Sequence, residues 1–246
     1  MKYGIICAMP EEFGKLENEI KKAQTQTVCG RDFISGYINE TEVVAVVSRI
    51  GKVAAAVTTA ILIDRFKVDA VLFCGIAGGL GDNIKIGDIV IGTGCVQHDF
   101  YLSDNDMFRI PLLNVSNIPC DKAISEKSYL AAEEFCKKSK TDSEIREFFD
   151  SVSVEKPSVH TGIIASGDQF ISDNSKKKWI KEKIEGVQCV EMEGAAVAQV
   201  CFEASIPCSV IRVISDGADD NADFSFEKFV SAASLYSIGI IKEFFA

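Results

Sequence analysis

Apolar residues along the chain fall into short runs of strand length, most of them followed by stretches in which apolar positions recur at helical spacing. Residues 3–8, Tyr-Gly-Ile-Ile-Cys-Ala, are the first such run and predict a buried strand. Pro10 suits the first turn of a helix after it, with Phe13, Leu16 and Ile20 along one face. The runs over 41–50 and 70–74 predict two more strands, and residues 53–66 a helix between them. That is a β-α-β rhythm, the mark of a sheet covered by helices. Further strands are predicted over 88–92, 158–165, 189–190 and 207–214, and helices over 124–138, from 193, and from about 225 to the end. Residues 75–81, Gly-Ile-Ala-Gly-Gly-Leu-Gly, read as a glycine-rich turn whose backbone can approach a ligand closely; without a Lys-Ser/Thr ending it is no Walker loop. Residues 103–121 read as irregular, and the polar stretch 139–157 as a surface connection. No repeat, low-complexity tract or linker divides the 246 residues, so a single α/β domain over 1–246, a three-layer αβα sandwich, is expected.

Composition narrows the function. A hydrophobic fraction of 47% supports a sizeable core, and a net charge of −10 argues against binding a phosphate backbone. The one basic cluster, Lys176 to Lys178, reads as a solvated helix start. Nine scattered cysteines without a C-x-x-C pair read as small, reduced core residues. His98 and His160 are the only histidines and lack metal-ligand spacing, so neither metal nor cofactor is expected. The apolar stretch from Tyr3 to Met9 stops at Pro10-Glu11-Glu12, too soon for a signal peptide or a membrane span, and a cytoplasmic location is expected.

Three separated acidic signatures stand where strands give way to loops or helices: Met9-Pro10-Glu11-Glu12, Val190-Glu191-Met192-Glu193-Gly194 and Ser215-Asp216-Gly217. In open α/β sheets ligands sit beyond the carboxyl ends of strands, so carboxylates delivered there can share one pocket. Each also has a plain structural reading. Asp216 can cap a turn, and acids at 11, 12, 191 and 193 can complement helix dipoles. Adjacent helical residues point about 100° apart, so only one of Glu11 and Glu12 can face a pocket. We assign Glu12 inward, and solvated first-turn charge fits Glu191 better than Glu193.

Taken together, and in order, six segments carry a resemblance: Gly4-Ile5-Ile6-x-Ala8-Met9 with Glu11-Glu12, Ile50 to Ala56, Gly75-x-Ala77-Gly78-Gly79-Leu80, Ser166-Gly167-Asp168-x-Phe170-Ile171, Val190 to Glu193, and Arg212-x-Ile214-Ser215-Asp216. They resemble the purine nucleoside phosphorylase type I superfamily, and within it the 5′-methylthioadenosine/S-adenosylhomocysteine nucleosidase branch. The resemblance implies hydrolysis of the bond between adenine and a 5′-thio-substituted ribose, on a single-domain twisted mixed sheet flanked by helices, in a homodimer. It implies Asp216 as general acid at the five-membered ring of adenine, Glu12 as the base that activates water, and Arg212 holding Glu12 and the water by hydrogen bonds. It implies Glu193 on the ribose hydroxyls with Met192 lining the sugar, Phe170 stacked on adenine, and the Ile171 backbone reading the base edge. Gly78 would let the backbone meet the substrate, Met9, Ile50 and Phe226 would wall the 5′ group, and His98-Asp99 would contribute to a neighbouring subunit's pocket.

Two positions depart from the family pattern. Ile76 stands where Ser or Thr is usual, and Arg49 where glycine is common. Phe73 and Cys74 occupy the stretch where related phosphorylases carry a phosphate-holding arginine, which favours hydrolysis over phosphorolysis. Hydrolysis of another 5′-modified adenosine of the aminofutalosine type, phosphorolysis, and nucleoside binding without turnover stay open as alternatives.

Overall fold

Strand β1 (Tyr3–Cys7) is buried on both faces and lies between two parallel neighbours, which is why it reads as an unbroken apolar run. The computed structural model describes residues 1–246 apart from 104–105, 140, 152–153, 155, 221 and 231–232. After β1 come one helical turn, α1 (Pro10–Phe13), and the strands β2 (Lys21–Val28), β3 (Arg31–Ile38) and β4 (Thr41–Val47). Helix α2 (Lys52–Asp64) leads to β5 (Ala70–Gly79) and β6 (Ile89–Gln97). The short β7 (Ile118–Pro119) precedes α3 (Lys122–Lys138) and α4 (Ser143–Ser151). The rest alternates: β8 (Val159–Ser166), α5 (Asn174–Lys183), β9 (Val187–Glu191), α6 (Gly194–Glu203), β10 (Cys208–Asp216), α7 (Ala222–Val230) and α8 (Ala233–Phe244).

The mixed sheet has two parts. An open wing runs β5-β1-β4-β3-β2, its last two pairings antiparallel. On the other side, β5 pairs with β10, β10 with β6, β6 with β8, β8 with β9, and β9 returns to the end of β5 at Gly78 and Gly79. Those five strands close on themselves in a ring. Helices cover both faces, α3 packing with α8 and α2 with α6. Strand alternation sorts the core accordingly: Ile5 and Leu72 join Phe135 and Phe244 on one side, Ile6 and Phe73 join Leu62 and Val197 on the other. A single domain with helices on both faces of a mixed sheet is the fold the sequence led us to expect.

Several local expectations are corrected. Gly14, in the left-handed region at φ 52°, stops α1 after one turn, although Phe13, Leu16 and Ile20 are all buried as their spacing implied. The β2–β3 hairpin escaped notice because β2 is exposed along nearly all its length and shows no alternation. The glycine-rich stretch is strand as far as Gly79, and the polar stretch 139–157 contains α4. The C-terminal region is helical over Ala222–Val230 and Ala233–Phe244, and the expected single helix there crosses 231–232, outside the described residues. All nine cysteines are free thiols; six are buried, Cys120 and Cys136 are half-buried, and Cys29 is exposed.

Leu62 is fully buried, and its Cδ1 lies 3.0 Å from where a Cβ on Gly4 would stand, so helix and strand meet there without slack. Leu62→Ala is expected to lower unfolding free energy by about 2–5 kcal/mol in a urea titration, with an unchanged slope.

Candidate active site

The carboxyl ends of β1, β5, β9 and β10 converge on one cleft of about 600 Å³, counting the part open to solvent. All three acidic signatures reach it. Met9, Glu12, Ile50, Gly78, Phe170, Ile171, Met192, Glu193, Asp216 and Phe226 all line it, and Arg212 does not. Gln169, Ile76, Ala77 and Ser215 line it too. The sequence offered no separate signal for Gln169 beyond its place beside Phe170.

Arg212 lies beneath the cleft, completely buried, and its partner is Glu191 rather than Glu12. Its Nη2 and Nε donate to Glu191 Oε2 at 2.7 and 3.3 Å, and Nη1 donates to the carbonyls of Ile211 at 2.9 Å and Phe73 at 3.3 Å. The expected hydrogen bonds from Arg212 to Glu12 are therefore replaced by an action at a distance, through charge. Glu191 is corrected as well: it is buried, not solvated. Its carboxylate accepts from the backbone N–H of Glu193 and Gly194 and from the Ser166 hydroxyl, while Ser166 Oγ accepts from Ala195 N at 2.7 Å. Glu191 thus satisfies the orphan donors at the start of α6, where helix polarity favours a negative charge.

Glu12 and Glu11 separate as their spacing demands, Glu12 at 3% exposure and Glu11 on the surface. Glu12 Oε2 accepts from the backbone N–H of Ala8 and Met9 at 2.8 and 3.0 Å, and Oε1 from Ile76 N at 2.9 Å. Gly75 has to lack a side chain here, because a Cβ would stand 2.7 Å from Glu12 Oε1 and 3.3 Å from Arg212 Nη1. Burial raises the Glu12 pKa, opposed by Arg212 and the three backbone donors.

Asp216, 2% exposed, accepts from Ser215 Oγ at 2.7 Å and from Ala218 N at 2.8 Å, so the capping role and the pocket position coexist. Desolvation raises its pKa against those two bonds. Gly78 is confined by this carboxylate, since a Cβ there would lie 2.8 Å from Asp216 Oδ1. Glu193 Oε1 accepts from Gly51 N at 2.8 Å. Burial first, then repulsion from Glu191, pushes its pKa up to about 8. On Arg212 burial acts the other way, but the charges of Glu191, Glu12 and Glu193 outweigh it and hold the guanidinium more firmly charged than usual. One cation thus serves three acids, and the surplus negative charge favours retained protons in the cleft.

The walls are apolar. Phe170, 42% exposed, meets Phe226 edge to face at 5.5 Å between centroids, leaving ring surface free to stack. Ile76 donates its backbone N–H to Glu12 and brings no hydroxyl to the cleft. His98 is buried against Gly167, and neither ring nitrogen finds a partner among the described residues. Asp99 instead accepts from Lys52 Nζ and from Asp168 N at 2.9 Å, and Asp168 accepts from Lys52 N, tying the Phe170 loop to the start of α2. No group of residues suited to a metal ion occurs among the described residues.

Comparison with known proteins places this geometry in context. Residues 2–246 match the sequence profile described as the phosphorylase superfamily. The chain is 36% identical over 241 residues to a 5′-methylthioadenosine/S-adenosylhomocysteine nucleosidase from Exiguobacterium, covering 98% of this chain and 96% of that one. Its fold is similar to the Neisseria meningitidis nucleosidase of that name in complex with methylthio-immucillin-A, with a TM-score of 0.87 and 31% identity over 99% and 98% of the two chains. It is also similar to a futalosine hydrolase mutant of Helicobacter pylori, with a TM-score of 0.83 and 31% identity over 100% and 98% of the chains.

Two outcomes follow from the electrostatics. Because the raised Glu193 pKa favours the protonated folded form, its stabilising effect is complete below about 4.5 and is lost as pH climbs to about 8. Glu193→Gln keeps the acceptor without the charge, so its melting temperature should gain on the wild type across that window, by about 5 °C at pH 9 in calorimetry. Glu191→Gln, which strips Arg212 of its ion pair, should cost about 3–5 kcal/mol in denaturant unfolding at pH 7.

Proposed function

The chain belongs to the phosphorylase superfamily and is an N-glycosidic hydrolase within it, and on that premise we propose that it releases adenine from 5′-methylthioadenosine and S-adenosylhomocysteine. The observation that carries the reading is the convergence of Glu12, Glu193 and Asp216 on one apolar-walled cleft. Breaking an N-glycosidic bond needs a less basic leaving group, support for positive charge developing on the ribose, and a nucleophile on the opposite face. Carboxyl groups in different environments supply all three.

Asp216 acts as the acid. Its raised pKa keeps a proton available, and the Ser215 and Ala218 bonds fix its direction toward the five-membered ring of the base. Phe170 stacks on adenine while the Ile171 backbone reads its edge. Glu193, with Met192 beside it, holds the ribose hydroxyls and so orients the ring. Glu12 takes a proton from water. Three backbone donors and the Arg212 field favour its ionised form, so Arg212 is a positioning residue that works through charge. Met9, Ile50 and Phe226 enclose the 5′-thio group, and the Gly78 backbone permits close approach of the base.

Phosphorolysis fits less well, because a cleft carrying this much negative charge repels phosphate and Phe73 and Cys74 hold no arginine against it. A futalosine-type substrate is the second reading, supported by the likeness to the Helicobacter pylori enzyme of that name. The proposal includes a homodimer in the cytoplasm. Supporting the dimer, α2 carries apolar residues around its circumference, with Val53 75% exposed and Val57 also outward, beside the exposed Ile50. Among the described residues no helix is long and apolar enough to cross a membrane.

Adenine release from methylthioadenosine in phosphate-free buffer is the expected activity. Glu12→Gln and Asp216→Asn should each lower kcat by at least about 100-fold, and Glu11→Gln by less than about twofold. Release only with phosphate would establish a phosphorylase, no release a binding protein, and a comparable loss in Glu11→Gln would reverse the inward assignment of Glu12.

A further inference from the structure

The cleft does not end at Ile50. A groove continues outward from it, sharing Ala8, Met9 and Ile50, and is lined beyond them by Phe13, Val47, Gly30, Arg31 and Arg49 among others. Two guanidinium groups reach this groove from separate segments, Arg31 at the start of β3 and Arg49 just past the end of β4. Backbone carbonyls fix both. Arg31 Nε donates to Ser48 O and Nη1 to Cys29 O, each at 3.0 Å, and Arg49 Nη2 donates to Gly30 O at 2.7 Å.

Among the described residues neither arginine has a carboxylate partner. The ion pairs that arginines form among the described residues belong to Arg109 and Arg212. Burial and the neighbouring charge of Arg49 lower the Arg31 pKa, as expected where two cations adjoin without an anion between them. Arg49 also stands at φ 78°, in the left-handed region that favours glycine, so its side chain is carried at a conformational disadvantage with no ion pair in return. The acids on the groove are Glu11 from α1, Glu17 from the turn after it, and Asp32 beside Arg31 on β3, which accepts from Thr27 Oγ1 at 2.6 Å.

Resting on the nucleosidase reading above, we propose that this groove is a subsite for the far end of a long 5′ substituent, where Arg49 and Arg31 bind a carboxylate. The substrate class is 5′-substituted adenosines whose substituent ends in a carboxylate, and the amino-acid end of S-adenosylhomocysteine belongs to it. A guanidinium fork matches a carboxylate in two parallel bonds, and Glu11 and Glu17 offer counter-charge to an ammonium group on the same substituent. A methylthio group is too short to leave the apolar wall, so methylthioadenosine serves as the internal reference.

The test compares kcat/KM for methylthioadenosine, S-adenosylhomocysteine, 5′-(3-aminopropylthio)adenosine and 5′-(3-carboxypropylthio)adenosine in the wild type and in Arg49→Gly. Glycine accepts the left-handed backbone, so the variant retains the loop. The ratio of each carboxylate-bearing substrate to methylthioadenosine should fall about five- to tenfold in the variant, chiefly through KM. In the wild type the same ratio should decline with added salt, and in the variant it should not. A ratio that stays within twofold, or one that falls equally for the amine-only analogue, overturns the subsite. If the wild type releases adenine from none of the four, the nucleosidase reading fails instead. Calorimetric affinities of the four compounds for both proteins then decide the subsite, with equal wild-type affinity for S-adenosylhomocysteine and methylthioadenosine overturning it.

Discussion

The buried ion pair between Arg212 and Glu191 is the constraint on which the cleft depends. Arg212 comes from β10 inside the closed ring of strands and Glu191 is the last residue of β9, so the pair ties together two of the strands that deliver the acidic residues. Glu191 also accepts from the first backbone donors of α6, which fixes where that helix begins and hence where Glu193 is held. The same guanidinium eases the burial of Glu12 on the neighbouring strand end. Isolated buried charges of this kind would be prohibitively costly, and shared compensation is what makes so acidic a cleft stable.

That sharing also divides the acids by their donors. Glu12 receives three backbone N–H bonds, Asp216 one N–H and one hydroxyl, and Glu193 a single N–H. Each donor favours the ionised form and desolvation opposes it, so the carboxylate with the most donors suits the base and a less supported one suits the acid. In the proposed reaction the negative field that remains favours positive charge on the sugar and disfavours phosphate. The loss of a hydroxyl at Ile76 leaves the anchoring of Glu12 intact, because that position acts through its backbone.

The fold class and the cleft were legible in the sequence because both depend on local rules: apolar runs of strand length, and acids at strand ends. Helix geometry required that only one of Glu11 and Glu12 face the cleft, and the family resemblance pointed to Glu12. Three features were not legible, each for a physical reason. The closure of the strand ring rests on the pairing of β9 with Gly78 and Gly79, a contact between residues more than a hundred positions apart that no periodicity encodes. Strand β2 of the β2–β3 hairpin is exposed along nearly all its length and carries no alternation. Glu191 and Glu193 look alike as two acids at a helix start, and only the guanidinium arriving from β10 distinguishes the carboxylate taken up in an ion pair from its neighbour.

The division of labour is tested most directly by a crystal structure with a non-hydrolysable 5′-methylthio adenosine analogue. The arrangement described here predicts Asp216 within hydrogen-bonding distance of the five-membered ring of the base, Glu193 on the ribose hydroxyls, and an ordered water between Glu12 and the sugar carbon that bears the base. A nucleoside seated with its base away from Asp216, or with its sugar out of reach of Glu12 and Glu193, would contradict it.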